Sequence, residues 1–480
     1  MVKVKSKYEK FMTMQLKIFN TLDRKKIDFV PIDNKNVRVY ACGPTVYDYA
    51  HVGNARMSIV CDLLIKVLRL IYDNVTYTSN ITDIDDKIIL AAKNQNVPIE
   101  EITNNFLKIY NQDMHSLGIN KPDIQPRATE YIEEMIILVE KLIKNKNAYL
   151  ANNHVLFHVP SFSSYGCLSK RSKEEQISGS RVEVAPYKKY AGDFVLWKPS
   201  KQNEPGWNSP WGYGRPGWHL ECSAMSESCL GLPFDIHAGG IDLTFPHHEN
   251  EIAQSCSLHN EKDPKLFARY WFHNGFVLSN GEKMSKSLGN IQLVNELLKK
   301  YPSETIRFSL ISSHYRQPLN WNKNLLQQSQ ATLNRFYRIF LNDENFDEYK
   351  YDIKDISDDI IESLLDDLNT PKALAVLNKL INDLSSKSNL KSKNLKKTIY
   401  SSSVFLGILK KNPSEWLGIG NKNSKNLNNI EELIEKRNNA RINKNFALAD
   451  DIRSKLNKMG IEIEDQNNKT IWRKIEKNNK

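Results

Sequence analysis

The sequence predicts an α/β protein built on a parallel sheet, and three observations carry that prediction. Short β-rich runs alternate with stretches of helical periodicity early in the chain. The same alternation resumes beyond residue 230, after a long interruption. After about Asn290 only helical periodicity is expected.

"NVRVYACGPTVYDYAHVGNAR" begins as an apolar strand and breaks at Cys42-Gly43-Pro44. It continues into "MSIVCDLLIKVLRLIY", where apolar residues recur at helical spacing. "NVTYTSNIT" is a second β-rich run, followed by the helix-like "DDKIILAAKN". "LPFDIHAGG" and "RYWFHNGFVLS" supply two further strands. From about Lys121 to Arg215 the alternation is interrupted by "HVLFHVP" and the charged, Ser-rich "LSKRSKEEQISGSRVEV". That stretch has the character of an insertion with short strands of its own. "DDIIESLLDDLNTPKALAVLNKLINDL" and "LKKTIYSSSVFLGILKK" predict helices that pack as a bundle. The polar "SSKSNLKSKNLKK" and "NKNSKNLNN" are loops or linkers, and a small last unit begins near Asn429.

The chain has 480 residues, which suggests two to four domains and a core large enough to need no disulfides. A formal charge of +11 suits an acidic partner such as nucleic acid, although solvated surface lysines account for part of it. The six cysteines are sparse and show no Cys-x-x-Cys spacing, as in a reduced compartment. With no signal-like or membrane-length apolar stretch, the expectation is a cytoplasmic, soluble chain.

"GYGRPG" fits the dinucleotide pattern G-x-G-x-x-G, but it follows "KQNEPGWNSPW", which cannot supply the strand such a motif requires. "HVGN", His51 to Asn54, lies between a strand and a helix, where a helix start attracts phosphate and Gly53 allows close approach. "KMSKS", Lys283 to Ser287, follows the last strand and a turn. Its two lysines could clamp a triphosphate as charge shifts. "DLTFPHHENE" holds two adjacent histidines, His247 and His248, followed by two carboxylates, Glu249 and Glu251. It is no protease-type zinc motif, because His-Glu-x-x-His from His248 would need a histidine where Ile252 stands. His247 and Glu251 share a helix face at i and i+4; from the residues alone, His247 and His248 are equal candidates.

The paired HVGN and KMSKS segments resemble the signatures of class I aminoacyl-tRNA synthetases. The longer segments "YACGPTVYD", "NITDIDDKI", "GRPGWHLECSAM", "FPHHENEIAQS", "YWFHNGFV" and "GEKMSKSLGN" are similar to the cysteinyl-tRNA synthetase family, from about Met14 to Arg473. The resemblance implies a Rossmann-like parallel-sheet catalytic domain over residues 14–120 and 216–290, with a connective insertion at 121–215. It further implies a stem-contact region at 291–330, a helical bundle at 331–412 and an anticodon-binding domain at 429–480. The implied activity is ATP-dependent activation of L-cysteine and its transfer to tRNA-Cys, by a monomer, with Mg2+ accompanying ATP.

The implied zinc ligands are Cys42, Cys222, His247 and Glu251, one zinc per chain, with His248, Glu249 and Asn250 orienting them. Two thiolates, an imidazole and a carboxylate are suitable zinc donors. Cysteine and serine differ by one atom, and an apolar pocket separates such analogues by only ~1–3 kcal/mol. A thiol-binding metal discriminates directly. The resemblance also places Gly43, Thr45, Thr82, Trp218 and His237 around the amino acid. It puts His51, Gly53, Asn54, Gly239 and Asp242 at the nucleotide, and Lys283 and Lys286 at the transition-state charge. Two departures stand out: Asn54 ends the first signature where histidine is usual, and Ala238 replaces a frequent glycine. Two other readings are a cysteine ligase acting on a small amine, which would lack the last unit, and a non-catalytic RNA-binding module.

Overall fold

In the computed structural model four strands form the central sheet: Val37–Ala41 (β1), Val75–Ser79 (β2), Phe234–Gly240 (β3) and Ala268–Asn274 (β4). Every neighbouring pair is parallel, in the order β4-β3-β1-β2. The residues described are 14–172, 174–176, 186–285, 288–341, 343, 346–384, 389–418, 425–443, 445–466 and 469–474. They fall into two units, Met1–Leu326 with Ile356–Asn378, and Gln327–Asp355 with Lys379–Lys480. No helix among the described residues is long and apolar enough to cross a membrane.

A parallel sheet covered on both faces needs near-continuous apolar strands. Val37, Val39, Tyr40 and Ala41 in β1, and Phe234, Ile236 and Ala238 in β3, are all buried. The helix Val52–Ile71 (α1) crosses from β1 to β2. Trp218–Leu230 (α2) precedes β3, and Glu249–Leu258 (α3) connects β3 to β4. Strand order reverses at β1, with β2 on one side and β3 on the other. Open α/β sheets bind ligands in the crevice at that point, outside the carboxyl ends of the strands. Here the Cys42 N–H donates to the Ala238 carbonyl at 3.1 Å and ties the two strand ends together.

Between β2 and α2 lies a separate antiparallel sheet of Ala148–Ala151, His154–Phe157, Phe194–Pro199 and Gly214–Pro216, in sequence order. Its first hairpin turns on Asn152 and Asn153, both at positive φ, as a two-residue turn of this twist demands. "GYGRPG" runs into the last strand of this sheet, so no dinucleotide turn forms there. Residues 123–127 instead lie along β2, with Ile124 beside Thr78 and Arg127 beside Ile81.

The expectation of no strands after Asn290 fails. Leu319–Trp321 pairs in parallel with Val277–Ser279, which also forms a short hairpin with Glu282–Lys283. Three residues, buried-exposed-buried, are too short to give a periodic signal. In the second unit Tyr337 stacks on Trp416 with ring centroids 4.5 Å apart. The helices Lys425–Ile442 and Phe446–Lys458 meet the hairpin of Ile461–Gln466 and Lys469–Lys474 over their own core of Ile430, Leu433, Ile434, Ile452, Leu456, Ile461 and Ile463.

Candidate active site and metal centre

Donor atoms converge where β1, α2 and α3 meet. One from each of Cys42, Cys222, His247 and Glu251 all lie within 4.8 Å of one another. The Cys42 and Cys222 sulfurs are 3.9 Å apart, Cys42 Sγ is 3.9 Å from Glu251 Oε1, and His247 Nε2 is 3.0 Å from the same oxygen. Zinc bonds of ordinary length in a tetrahedron require donor separations of roughly 3.3–3.8 Å, so the four fit one ion with small adjustments. His247 precedes α3 in the turn Thr244–His248, and the i,i+4 spacing brings it onto Glu251. A second set, Cys42, His237, His248 and Glu251, also meets within that distance, because His248 Nε2 is 3.3 Å from Cys42 Sγ.

The neighbours of each ring fix its orientation. His219 Nδ1 lies 2.8 Å from His247 Nδ1, which turns His247 Nε2 towards Glu251. His237 Nε2 pairs with Glu251 Oε2 at 2.8 Å, leaving Oε1 for the cluster. His248 Nδ1 meets His273 Nε2 at 2.8 Å, and His273 Nδ1 meets the Thr21 hydroxyl at 2.8 Å. Such outer partners hold ligating groups in place. The hydrogen bond from Cys42, helped by His247 against burial, brings the Cys222 thiol down to about 6. Burial and the same Cys222 contact push Cys42 up. Of the two thiols, Cys222 is the more readily ionised. Burial opposes a charge on Glu251, but His237 and His247 hold it at about 2. Burial keeps His248 uncharged and brings His273 to about 3.

Glu249 and Asn250 do not orient these ligands. The Glu249 carboxylate accepts N–H bonds from Gly166, Leu168 and Ser169, and Asn250 Oδ1 accepts from the Tyr165 hydroxyl. Both residues anchor the segment between the antiparallel strands. His219 does the orienting instead; it lies three residues before Cys222 on α2, a spacing that could have marked it. Asn80 was also not foreseen. Its Oδ1 accepts from Gly43 N–H at 2.9 Å and faces Cys222 Sγ at 3.8 Å. A Cβ on Gly43 would stand 1.5 Å from the Asn80 carbonyl oxygen, so only glycine fits. Thr45 and Thr82 form a β-bridge beside this turn. Trp218 stacks on His247, with centroids 4.3 Å apart.

The HVGN segment builds the start of α1. His51 Nδ1 accepts from Gly53 N–H at 3.0 Å and from Asn54 N–H at 3.4 Å, while Asn54 Oδ1 accepts the His51 N–H at 3.1 Å. Asn54 thus closes a reciprocal cap, which accounts for asparagine at that position. A Cβ on Gly53 would meet the His51 ring at 2.7 Å. Because Nδ1 accepts, the ring proton sits on Nε2. Gly239 is the last residue but one of β3, and Ala238 is buried within the strand. Asp242 and Lys283 line one cavity of about 820 Å³, with Arg24, Arg171 and Arg316. Lys286 lies outside the described residues.

Residues 28–331 match the family described as tRNA synthetases class I (C) catalytic domain, 359–410 match the DALR domain, and 428–473 match the cysteinyl-tRNA ligase anticodon binding domain. The chain is 50% identical to a cysteine–tRNA ligase of Parvibaculum lavamentivorans over 464 residues, covering 96% of this chain and 98% of that one. It is 46% identical to one from Maricaulis maris, covering 96% and 99%. Mycobacterium tuberculosis methionyl-tRNA synthetase, solved with methionyl-adenylate, shares the fold at a TM-score of 0.55 and 15% identity, over 78% of this chain and 89% of that one. The Agrobacterium radiobacter LeuRS-tRNA-LeuAMS complex does so at 0.56 and 11%, over 88% and 89%. A catalytic-domain match over more than half its length, and relatives of this identity along nearly all of it, show that the chain belongs to the cysteine–tRNA ligase family of class I aminoacyl-tRNA synthetases.

Proposed function

We propose that the chain activates L-cysteine with ATP and passes the cysteinyl group to the 3′ end of tRNA-Cys, selecting cysteine by its thiol. The convergence of Cys42, Cys222, His247 and Glu251 at the sheet's switch point carries this reading. A zinc ion on these four donors supplies a soft Lewis acid that prefers the substrate thiolate to serine's hydroxyl. Gly43, Thr45, Thr82 and Trp218 surround the amino acid, and His237 sets the Glu251 carboxylate.

The cysteine carboxylate attacks the α-phosphorus in line, and pyrophosphate leaves. That step needs positioning and charge stabilisation more than a general base. His51 Nε2 faces the phosphates, with Asn54 holding the turn and Gly53 admitting the nucleotide, because the N–H groups of Val52, Gly53 and Asn54 are already taken by Gln292 O and His51 Nδ1. Gly239 and Asp242 take the adenosine, Lys283 and Lys286 the developing charge, and Mg2+ enters with ATP. The chain acts as a monomer. The catalytic domain spans 14–120 and 216–290 around the insertion at 121–215, followed by the stem-contact region, the bundle and the anticodon-binding domain.

The last unit favours a synthetase over a small-amine ligase, since it has its own core and the anticodon-domain match. Truncation after Lys425 is expected to leave cysteine-dependent pyrophosphate exchange nearly intact. Charging of tRNA-Cys and discrimination against altered anticodons should both fall. Full-length tRNA binding should weaken with salt, because phosphate contacts release counterions. Loss of exchange equal to the loss of charging would make the unit part of the catalytic fold.

A further inference from the structure

Arg56 is fully buried two residues beyond Asn54 on α1. Its side-chain hydrogen bonds go to main-chain carbonyls: Nη1 donates to Gly275 O at 3.1 Å and Phe276 O at 3.0 Å, and Nη2 donates to His314 O at 2.9 Å. Nε finds no partner. Burial alone depresses its pKa, to about 10. A buried guanidinium held by carbonyls is an expensive way to fasten a helix to a strand, because desolvation of the charge is only partly offset. An apolar side chain of similar volume would pack α1 at lower cost.

The location gives the arrangement a purpose. Gly275 and Phe276 join β4 to Val277–Ser279, the strand that pairs with Glu282–Lys283. The Phe276 ring lies beneath Lys283 Nζ, 4.8 Å from its centroid. Arg56 therefore holds the residue on which Lys283 rests. Beyond the KMSKS segment, Val52 N–H donates to Gln292 O at 2.9 Å and Val294 N–H donates to Ala50 O at 2.8 Å. Both ends of the lysine segment are thus fastened to the first turns of α1, by side chain upstream and by main chain downstream.

We propose that Arg56 is a positioning residue for adenylate formation: it sets Lys283 at a fixed distance from the phosphate-facing start of α1. This rests on the assignment of HVGN and Lys283 to the ATP phosphates. Lysine at 56 keeps the charge but cannot reach three carbonyls at once. A small displacement of a charge-stabilising group can cost up to about a hundredfold in rate.

The test is steady-state pyrophosphate exchange with Arg56→Lys, Lys283→Ala and the double variant, together with zinc content and melting temperature. Arg56→Lys is expected to lower kcat about ten- to a hundredfold, with zinc and KM for cysteine unchanged. In the Lys283→Ala background the same change should cost less than about threefold, because the group it positions is already gone. Phe276→Leu removes the ring and keeps the carbonyl; it should reproduce the kcat loss and serves if Arg56→Lys does not fold. Equal losses in both backgrounds would reduce Arg56 to a structural tie and overturn the proposal, as would wild-type kcat in both Arg56→Lys and Phe276→Leu. A Lys283→Ala enzyme with unchanged kcat sinks the phosphate assignment of Lys283 itself, and the positioning role with it.

Discussion

Cys222→Ala is expected to bind far less than one zinc per chain and to lose cysteine-dependent pyrophosphate exchange by more than about a hundredfold. Even outer partners of a metal typically cost ten- to a hundredfold when removed, and Cys222 is placed as a direct donor. Cys222 carries the more acidic of the two clustered thiols, at about 6, so it is the one most readily offered as thiolate. Without it Cys42, His247 and Glu251 remain, a set with one soft donor. Whatever activity persists should distinguish cysteine from serine only on the ~1–3 kcal/mol scale of an apolar pocket. Elemental analysis combined with exchange on each amino acid checks both points. His247→Ala and His248→Ala separate the two possible donor sets. The first should lose zinc and the second should retain it, because the proposed donor set includes His247 and not His248. Full zinc in Cys222→Ala would move the site to Cys42, His237, His248 and Glu251.

The alternation of strands and helices made the catalytic sheet legible, because parallel strands buried on both faces are apolar throughout. Donor types at i and i+4 made half of the candidate metal cluster legible too. The choice between His247 and His248 was not, and the structure shows why: both rings reach Cys42 or Glu251, and each has its Nδ1 held by another histidine, His219 or His273. Those partners come from distant parts of the chain, so local spacing carries no trace of them. Glu249 and Asn250 misled for the same reason. They sit beside the ligands in sequence, yet their side chains leave the cluster to hold residues 165–169. Asn54 shows the opposite case. Its departure from histidine is a purely local matter, since an N3 side chain that accepts the cap N–H suffices to explain it. Arg56 lies within "HVGNAR" itself, but nothing about an arginine on an apolar helix announces three carbonyl partners more than 200 residues away.

Lys286→Ala is expected to slow adenylate formation by about thirty- to nine-hundredfold, corresponding to roughly two to four kcal/mol for a lost charge-stabilising donor. In-line attack on the α-phosphorus moves negative charge onto the departing pyrophosphate, and a cation that meets this charge only as it develops lowers the barrier without tightening ATP in the ground state. The loss should therefore appear in kcat for exchange, with KM for ATP changed much less. Lys283 provides the internal comparison. It rests over the Phe276 ring and borders the cavity that Asp242 also lines, and its proposed contact with ATP precedes the chemistry. Lys283→Ala should accordingly raise KM for ATP as well as lower kcat, and the two variants should differ in that ratio. Zinc content and the preference for cysteine should be unchanged in both, because the proposed metal donors Cys42, Cys222, His247 and Glu251 lie just after β1, on α2, just before α3 and on α3, and neither lysine is among them. A Lys286→Ala enzyme with wild-type kcat and only a raised KM for ATP would assign that lysine to ground-state binding. The transition-state charge would then fall to Lys283 and His51.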